Sequence, residues 1–525
     1  MAVVLTDASL EFARNHITAF YDTDFYPKPF EFYALWNSWA EVKSYLLAAS
    51  LAGAHTSNPR VLPWAKARGG YRIVHQLEPL DSLIYTALIY LVAEKIENSR
   101  MLPSIACSYR IEVDENSYFS KGSGFPAYRE SCERLGGVYE YVLSTDISDF
   151  YNQIYLHRVG NVIDSVGAPA GAGREIESFL SRLNNKASQG IPVGPAASII
   201  LAEAILLDVD QFISNHHVEH VRYVDDIRIF SDSEEQLSEI LENLVVYLHD
   251  QHRLGLVSEK TSIRSSAQFL QEELQNQYQM DKLDILNEIE AGNQYGTYES
   301  EQDNEYEDHQ EYDEYGQYCE GNDDEDDDSE DLGASLLDAL LRVRNFGYVD
   351  LAVLRAIIRR AKHGQVSEIA KPILEDIEFY KPVINDVCLY LASLPAAEIK
   401  KIFPLLSTLC QTNRISNRSM RVWMEWLFTR DAQFLADQNI RRYVYQGTPT
   451  SAAAAALLEG NIAWAKEAKQ KVLTSASWDR RAYIHALNIL SKDEAEKYLK
   501  FIKQNPSLTH TDKWVCTWVL AGCPT

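Results

Sequence analysis

The sequence predicts an α+β protein in two folded parts, and three observations carry that prediction. Over residues 1–293, short β-branched runs at period two alternate with helical patterns. Residues 333–525 read as helix after helix, with apolar side chains at three- and four-residue spacing and short polar breaks. Between them, residues 294–332, "QYGTYESEQDNEYEDHQEYDEYGQYCEGNDDEDDDSEDL", hold 18 acidic residues, six tyrosines and no Lys or Arg. Such a tract buries too little apolar surface to offset its ordering entropy, so a disordered acidic insert is expected there.

The chain of 525 residues has room for two or three domains with substantial cores, and 46% hydrophobic residues exclude a wholly disordered polymer. No run of about 18 apolar residues occurs, so no membrane span is expected. The start, "MAVVLTDASLEFARNH", lacks the basic flank and apolar stretch of a signal peptide. Seven dispersed cysteines (107, 132, 319, 388, 410, 516, 523) form no C-x-x-C pair, which fits reduced thiols and a cytoplasmic protein and gives no zinc signature. The net charge of −27 is hostile to nucleic acid in sum, but two thirds of it sits in the acidic tract. Local fields guide polyanions more than totals do, so a basic cleft elsewhere remains compatible.

The chemistry concentrates in four stretches of the first part. "YEYVLSTDISDFYNQIYLHRV" (139–159) is an alternating strand ending in Asp146, followed by Asp149, Phe150 and Tyr151. Asp149 is expected as a helix N-cap. "SQGIPVGPAASIILAEAILLDVDQF" (188–212) opens on Gln189 and Gly190 in a Gly/Pro-rich turn, with a helix from about Ala196. By itself this is an ordinary passage from loop to helix. "HVRYVDDIRIF" (220–230) carries Val221, Tyr223, Ile227 and Ile229 at period two, the pattern of a hairpin with Asp225 and Asp226 at its turn. Asp-Asp suits a tight turn poorly and its charges repel, so the bland reading is a solvated turn. "RLGLVSEKTSI" (253–263) ends a strand-like stretch in Lys260, which alone reads as a surface lysine. Taken together, Asp146, Asp225 and Asp226 at adjacent strand ends are the donor set for two Mg²⁺ ions, whose charge would offset the repulsion.

In this order the elements resemble the palm of reverse transcriptases: "STDISDFY", "QGIPVGPAAS", "YVDD" and "LGLVSEKT" match its successive motifs, and the likeness covers roughly residues 20–265. The resemblance implies a right-hand fingers/palm domain over 1–293, while the helical periodicity beyond the insert predicts an all-α, HEAT-like helical-repeat domain over 333–525. It implies an RNA-directed DNA polymerase with Asp146, Asp225 and Asp226 as metal ligands, two Mg²⁺ (Mn²⁺ as the alternative) and Lys260 at the leaving pyrophosphate. Tyr151 takes the place of the aromatic gate against a ribose 2′-OH, with Phe150 and Gln189 beside the nucleotide. "WAKARGGYRIVHQLEPLDSLIYTALIYLVAEKIE" and "ACSYRIEV" resemble the fingers motifs and make Arg72 and Arg110 candidates for triphosphate contacts. Gly194-Pro195 stands where retroviral and intron enzymes carry Ser-Pro. With the helical C-terminus, it resembles bacterial defence-associated reverse transcriptases of the abortive-infection and Unknown Group kind. That implies dNTPs, an RNA template (for some relatives a partner noncoding RNA), a DNA product, a homo-oligomer in some cases, and priming from a protein tyrosine in others.

Other classes stay open at this stage. They are untemplated terminal-transferase-like synthesis, RNA-dependent RNA synthesis, and a non-catalytic nucleic-acid-binding scaffold. Arg355, Arg359, Arg360 and Lys362 cluster on one helical stretch, as a solvated face or as phosphate contacts.

Overall fold

The computed structural model describes residues 5–21, 23–48, 57–120, 122, 124–185, 187–276, 278, 281–282, 285, 329–346 and 349–524. The acidic insert expected at 294–332 lies outside the described residues as far as 328. Its last four positions already belong to the helix Ser329–Arg344.

The first part is built on two antiparallel sheets. A hairpin of β1 (Arg60–Ala65) and β2 (Tyr71–Gln76) stands by itself. The other sheet has four strands, β3 (Tyr141–Asp146), β4 (Glu219–Tyr223), β5 (Asp226–Ser231) and β6 (Ser262–Ser265), in the order β4-β5-β3-β6. β3 lies inside this sheet, paired on both sides, and is buried from Val142 to Asp146. That explains its run of Val, Leu and Thr, which is too apolar for a strand with one wet face. The helix Glu234–Tyr247 covers β3 and β5, burying Leu237, Ile240 and Leu244 at i, i+3 and i+7. Each such side chain contributes about 1.5–3 kcal/mol on burial. Ser233 caps its first turn by accepting from the Gln236 N–H.

The second part is helical throughout its described residues. "AAAAALLEGNIAWAKEAKQKVL" divides into the helices Pro449–Glu459 and Ile462–Lys471, because Gly460 takes a left-handed φ of 62° and ends the first. These helices do not stand apart from the first part. Trp64 of β1 donates its Nε1–H to the Pro382 carbonyl at 3.0 Å, and Trp423 donates to the Phe25 carbonyl at 3.1 Å. Arg481 reaches Glu31 at 2.9 Å and Glu78 at 2.8 Å. The helix Glu31–Asn37 packs on the helix His510–Leu520, and one hydrophobic core runs through both parts. The basic cluster near 355–362 is not a uniform solvated face. Arg355 is buried with Nε 3.5 Å from Asp386, and Arg359 faces the same carboxylate at 3.9 Å.

Candidate active site

The β4–β5 hairpin turns at Val224-Asp225, one position before the expected Asp-Asp pair. Tyr223 pairs with Asp226, so Asp226 is already the first residue of β5. Val224 takes a φ of 51°, a conformation that a β-branched residue adopts only at a cost, and its side chain is buried. The turn is therefore half-buried rather than an open loop.

Pairing of β3 with β5 sets Asp146 opposite Asp226. The Ile147 N–H donates to the Asp225 carbonyl at 3.1 Å, which ties the end of β3 to the turn. Burial, and then the carboxylate of Asp146, push the Asp225 carboxyl up to about 7. Burial also raises Asp146, with a further push from Asp226 that Lys260 opposes. Lys260 Nζ lies 2.6 Å from Asp146 Oδ2. Burial works against its charge, but the bond to Asp146 outweighs that and holds the ammonium above its usual range. Lys260 does not end a strand. It closes the 3₁₀ turn Ser258–Lys260 ahead of β6, and the Val257 N–H anchors that turn on the Asp146 carbonyl at 2.9 Å.

Two residues that the sequence reading missed also meet Asp226. Arg228, two positions along β5, forms an ion pair with it and with Glu273, and the Tyr128 hydroxyl donates to Asp226 Oδ2 at 3.4 Å. The i, i+2 spacing on one strand face was the available signal for Arg228. Tyr128 comes from the helix Phe125–Gly136, and nothing local announces it.

Phe150 and Tyr151 open the short helix Phe150–Gln153 directly after Asp146–Asp149, and both are buried. Asp149 stands at the N-cap position but does not cap. Its φ of 48° turns the side chain to accept from Asn152 Nδ2 at 2.7 Å. The Tyr151 carbonyl accepts from the Ile191 N–H at 3.0 Å, and the Gly190 N–H donates to the Ile154 carbonyl at 2.8 Å. The Gly/Pro-rich turn is thus fastened to the tyrosine helix, with the Gln189 side chain exposed. Gly194 has a φ of 130°, and a Cβ there would lie 2.6 Å from Thr23 Oγ1. A serine does not fit that backbone, which accounts for Gly-Pro at this position. Val193 exchanges two hydrogen bonds with His75 at the end of β2, so the hairpin that carries Arg72 docks against this same turn. Arg110 is placed otherwise. It forms an ion pair with Glu97 and donates to the carbonyls of Met101 and Ala106 at 2.8 and 3.1 Å, engaged in its own loop rather than brought to the carboxylates.

Among the described residues no three His, Cys, Asp or Glu side chains close into a ready-made metal cage. Lys260 and Arg228 each hold an oxygen of one carboxylate. The donor set nevertheless suits a hard divalent cation, because Asp146, Asp225 and Asp226 offer only oxygen, and burial together with the charge of Asp146 raises Asp225. Mg²⁺ is usually held by one or two carboxylates, with waters and substrate phosphates completing its shell, so a closed cage is not the expected form.

With this geometry in view, residues 66–286 match the family model "Reverse transcriptase (RNA-dependent DNA polymerase)". The chain thus carries a reverse transcriptase domain, the polymerase domain of an RNA-directed DNA polymerase. Among solved structures it is similar to telomerase from Candida albicans in complex with a fragment of telomeric RNA, at 11% identity over 79% of this chain and 70% of that one, TM-score 0.29. It is also similar to telomerase from Candida tropicalis, in complex with such a fragment (11% identity, 75% and 68% of the chains, TM-score 0.31) and in the apo form (9%, 78% and 77%, TM-score 0.28). No curated protein matches it in sequence.

Proposed function

We propose that the protein synthesises DNA from dNTPs at the Asp146–Asp225–Asp226 cluster, copying an RNA template in a bacterial antiphage role. The observation that carries the catalytic half is the tie between β3 and the β4–β5 turn, which brings three mutually repelling carboxylates together beside Lys260. Asp146, Asp225 and Asp226 would hold two Mg²⁺, with Mn²⁺ as the alternative. Bound there, the metal supplies charge that lowers the pKa of an attacking hydroxyl and stabilises the transferring phosphate. Lys260, held protonated by Asp146, is in place to release that partner and donate to the leaving pyrophosphate. Tyr151, fixed by Ile191, is in place to exclude a ribose 2′-OH, with Phe150 behind it and Gln189 on the exposed rim. Arg72, on the hairpin docked at Val193, is the better placed of the two arginines for the triphosphate.

The antiphage reading is supported by the Gly194-Pro195 form of the turn and by the helical second part. Priming from a tyrosine of the chain, a partner noncoding RNA as template, a homo-oligomeric state and a cytoplasmic location belong to the same reading. The six tyrosines of the acidic insert lie outside the described residues. The scaffold alternative draws on the cations already seated on Asp146 and Asp226.

Purified protein incubated with Mg²⁺ and each labelled dNTP tests the proposal, with the product then treated with protease or DNase. Incorporation that is abolished in folded Asp225→Ala and Asp226→Ala proteins, together with loss of phage protection, is the expected result. Protection that persists in those proteins would favour the scaffold. Product that runs as free DNA without protease treatment would end tyrosine priming.

A further inference from the structure

Beneath the carboxylates lies a set of buried charges that the proposed chemistry does not use. Arg222 of β4 is fully buried and binds Asp210 through two hydrogen bonds, at 2.8 and 2.7 Å, and Glu203 through two more, at 3.2 and 3.0 Å. Arg100 adds a second cation, 2.8 Å from Glu203 Oε2. Two further groups border the set: Glu97, partly exposed, pairs with Arg100 at 3.0 Å, and His220 Nε2 lies 3.4 Å from Asp210 Oδ1. Burial alone would raise Glu203 and Asp210. The arginines reverse this, so Glu203 lies below its usual range and Asp210 falls to about 2.

The set has two contacts with the turn, and both fall on its strained residue. Arg222 Nη1 donates to the Val224 carbonyl at 2.9 Å. The Val224 N–H donates to Ser108 Oγ at 3.0 Å, while Ser108 donates to Glu203 Oε1 at 2.7 Å. Val224 is therefore gripped at its N–H and its carbonyl while its φ stands at 51°. A hairpin turn with positive φ at its first residue normally takes glycine there. Here a valine occupies the position, and the two grips supply what the residue's own preference does not.

We propose that Ser108 and Arg222 are positioning residues that hold Val224 in the left-handed conformation and thereby aim Asp225 and Asp226 at Asp146. The proposal rests on the polymerase reading of that cluster. Ser108 lies in "ACSYRIEV", the stretch from which the sequence singled out Arg110. Because the grips act on a backbone conformation, their loss is repaired by a residue that adopts it freely. Glycine does so and alanine does not, although both remove the buried valine side chain.

Ser108→Ala is the variant of choice, since removing Arg222 strands two buried carboxylates and endangers the fold. Ser108→Ala is expected to lower dNTP incorporation about tenfold, the rate equivalent of one buried hydrogen bond. It is also expected to raise, several-fold, the Mg²⁺ concentration giving half-maximal rate, a readout that a purely structural serine would not move. Ser108→Ala/Val224→Gly should return both quantities toward those of Val224→Gly alone, whereas Ser108→Ala/Val224→Ala should stay impaired. Equal behaviour of the glycine and alanine doubles, or an unchanged Mg²⁺ requirement in Ser108→Ala, would overturn the proposal while wild-type incorporation leaves the polymerase reading intact. If the wild type incorporates nothing, that reading falls and urea unfolding of the same four variants decides the backbone claim. Glycine must then rescue the Ser108→Ala midpoint more than alanine does.

Discussion

Two buried charge clusters, one beneath the β4–β5 turn and one where the helical part joins the first, are built to opposite rules. Under the β4–β5 turn, Arg222 and Arg100 face Glu203 and Asp210, with Glu97 also on Arg100 and His220 beside Asp210. Where the helical part joins the first, Arg481 is buried among Glu31 at 2.9 Å, Glu78 at 2.8 Å and Asp512 at 3.9 Å, with Arg480 reaching Asp512 from one side. In the first cluster the cations overcome burial and the acids are held down. In the second, burial prevails over Arg481, so Glu78 lies above its usual range and Asp81, close to Glu78, lies well above it. The acids are buried in both places, but Glu203 and Asp210 each take two hydrogen bonds from Arg222, whereas Glu78 has a single contact with Arg481. Arginines hold Glu203 and Asp210 down beneath the turn, while at the junction between the parts burial raises Glu78 and Asp81.

The largest expected effect is at the first cluster. Arg222→Met leaves Glu203 and Asp210 buried without their main partner and should cost about 3–5 kcal/mol, with loss of incorporation. Urea denaturation at neutral pH measures it, and a cost under 1 kcal/mol would remove the cluster from any role in holding the turn. Arg481→Met should cost less, about 2–3 kcal/mol, because burial already raises Glu78 and Asp81 toward their neutral forms. Its deficit should shrink as the pH is lowered from 8 to 5, and a pH-independent deficit would make the two clusters alike.

Single acids sharpen the contrast through the sign of their linkage. Asp210 is held at about 2 against an ordinary 3.8, so its stabilisation is present above 3.8 and is lost as pH falls toward 2. Asp210→Asn should therefore show its full deficit, about 2 kcal/mol, throughout the neutral range. Glu78 is raised, so its contribution is complete below 4.5 and is lost as pH rises through its folded value. The deficit of Glu78→Gln should accordingly diminish with rising pH. Denaturation curves from pH 4 to 8 report both, and parallel profiles would break the comparison. The smallest effect is expected at Tyr128→Phe, which removes a single 3.4 Å bond to Asp226. It should cost less than about 1 kcal/mol and change incorporation less than about fivefold, measured on the same assays.

Much of this site was legible one strand at a time. Period-two spacing of Val221, Tyr223, Ile227 and Ile229 marks the hairpin, and the alternation over 141–144 marks a strand ending in Asp146, whose pairing on both sides only the structure shows. The loop-to-helix passage at Ala196 follows from its Gly and Pro residues. The turn itself was misplaced by one residue, because local preference argues against valine at positive φ, and only Ser108 and Arg222 make it tenable. Arg110 was singled out for triphosphate contact, yet Glu97 and two carbonyls hold its charge, and Ser108 two positions earlier went unremarked. Lys260 was read at a strand end, and the anchor of Val257 on Asp146 sets it in a 3₁₀ turn instead.

What the sequence by itself determined are the properties that travel with short stretches: strand and helix periods, the order of the four motifs, and carboxylates at strand ends. These depend on neighbours a few positions away, whose spacing is printed in the chain. Tertiary structure alone decided which cation stands against which acid, and so which acids are held down and which are raised. Arg222 meets Glu203 and Asp210, and Arg481 meets Glu31 and Glu78 from over 400 positions away, through packing that no local pattern encodes. A buried charge is governed by the few groups within bonding distance, and the fold chooses those groups.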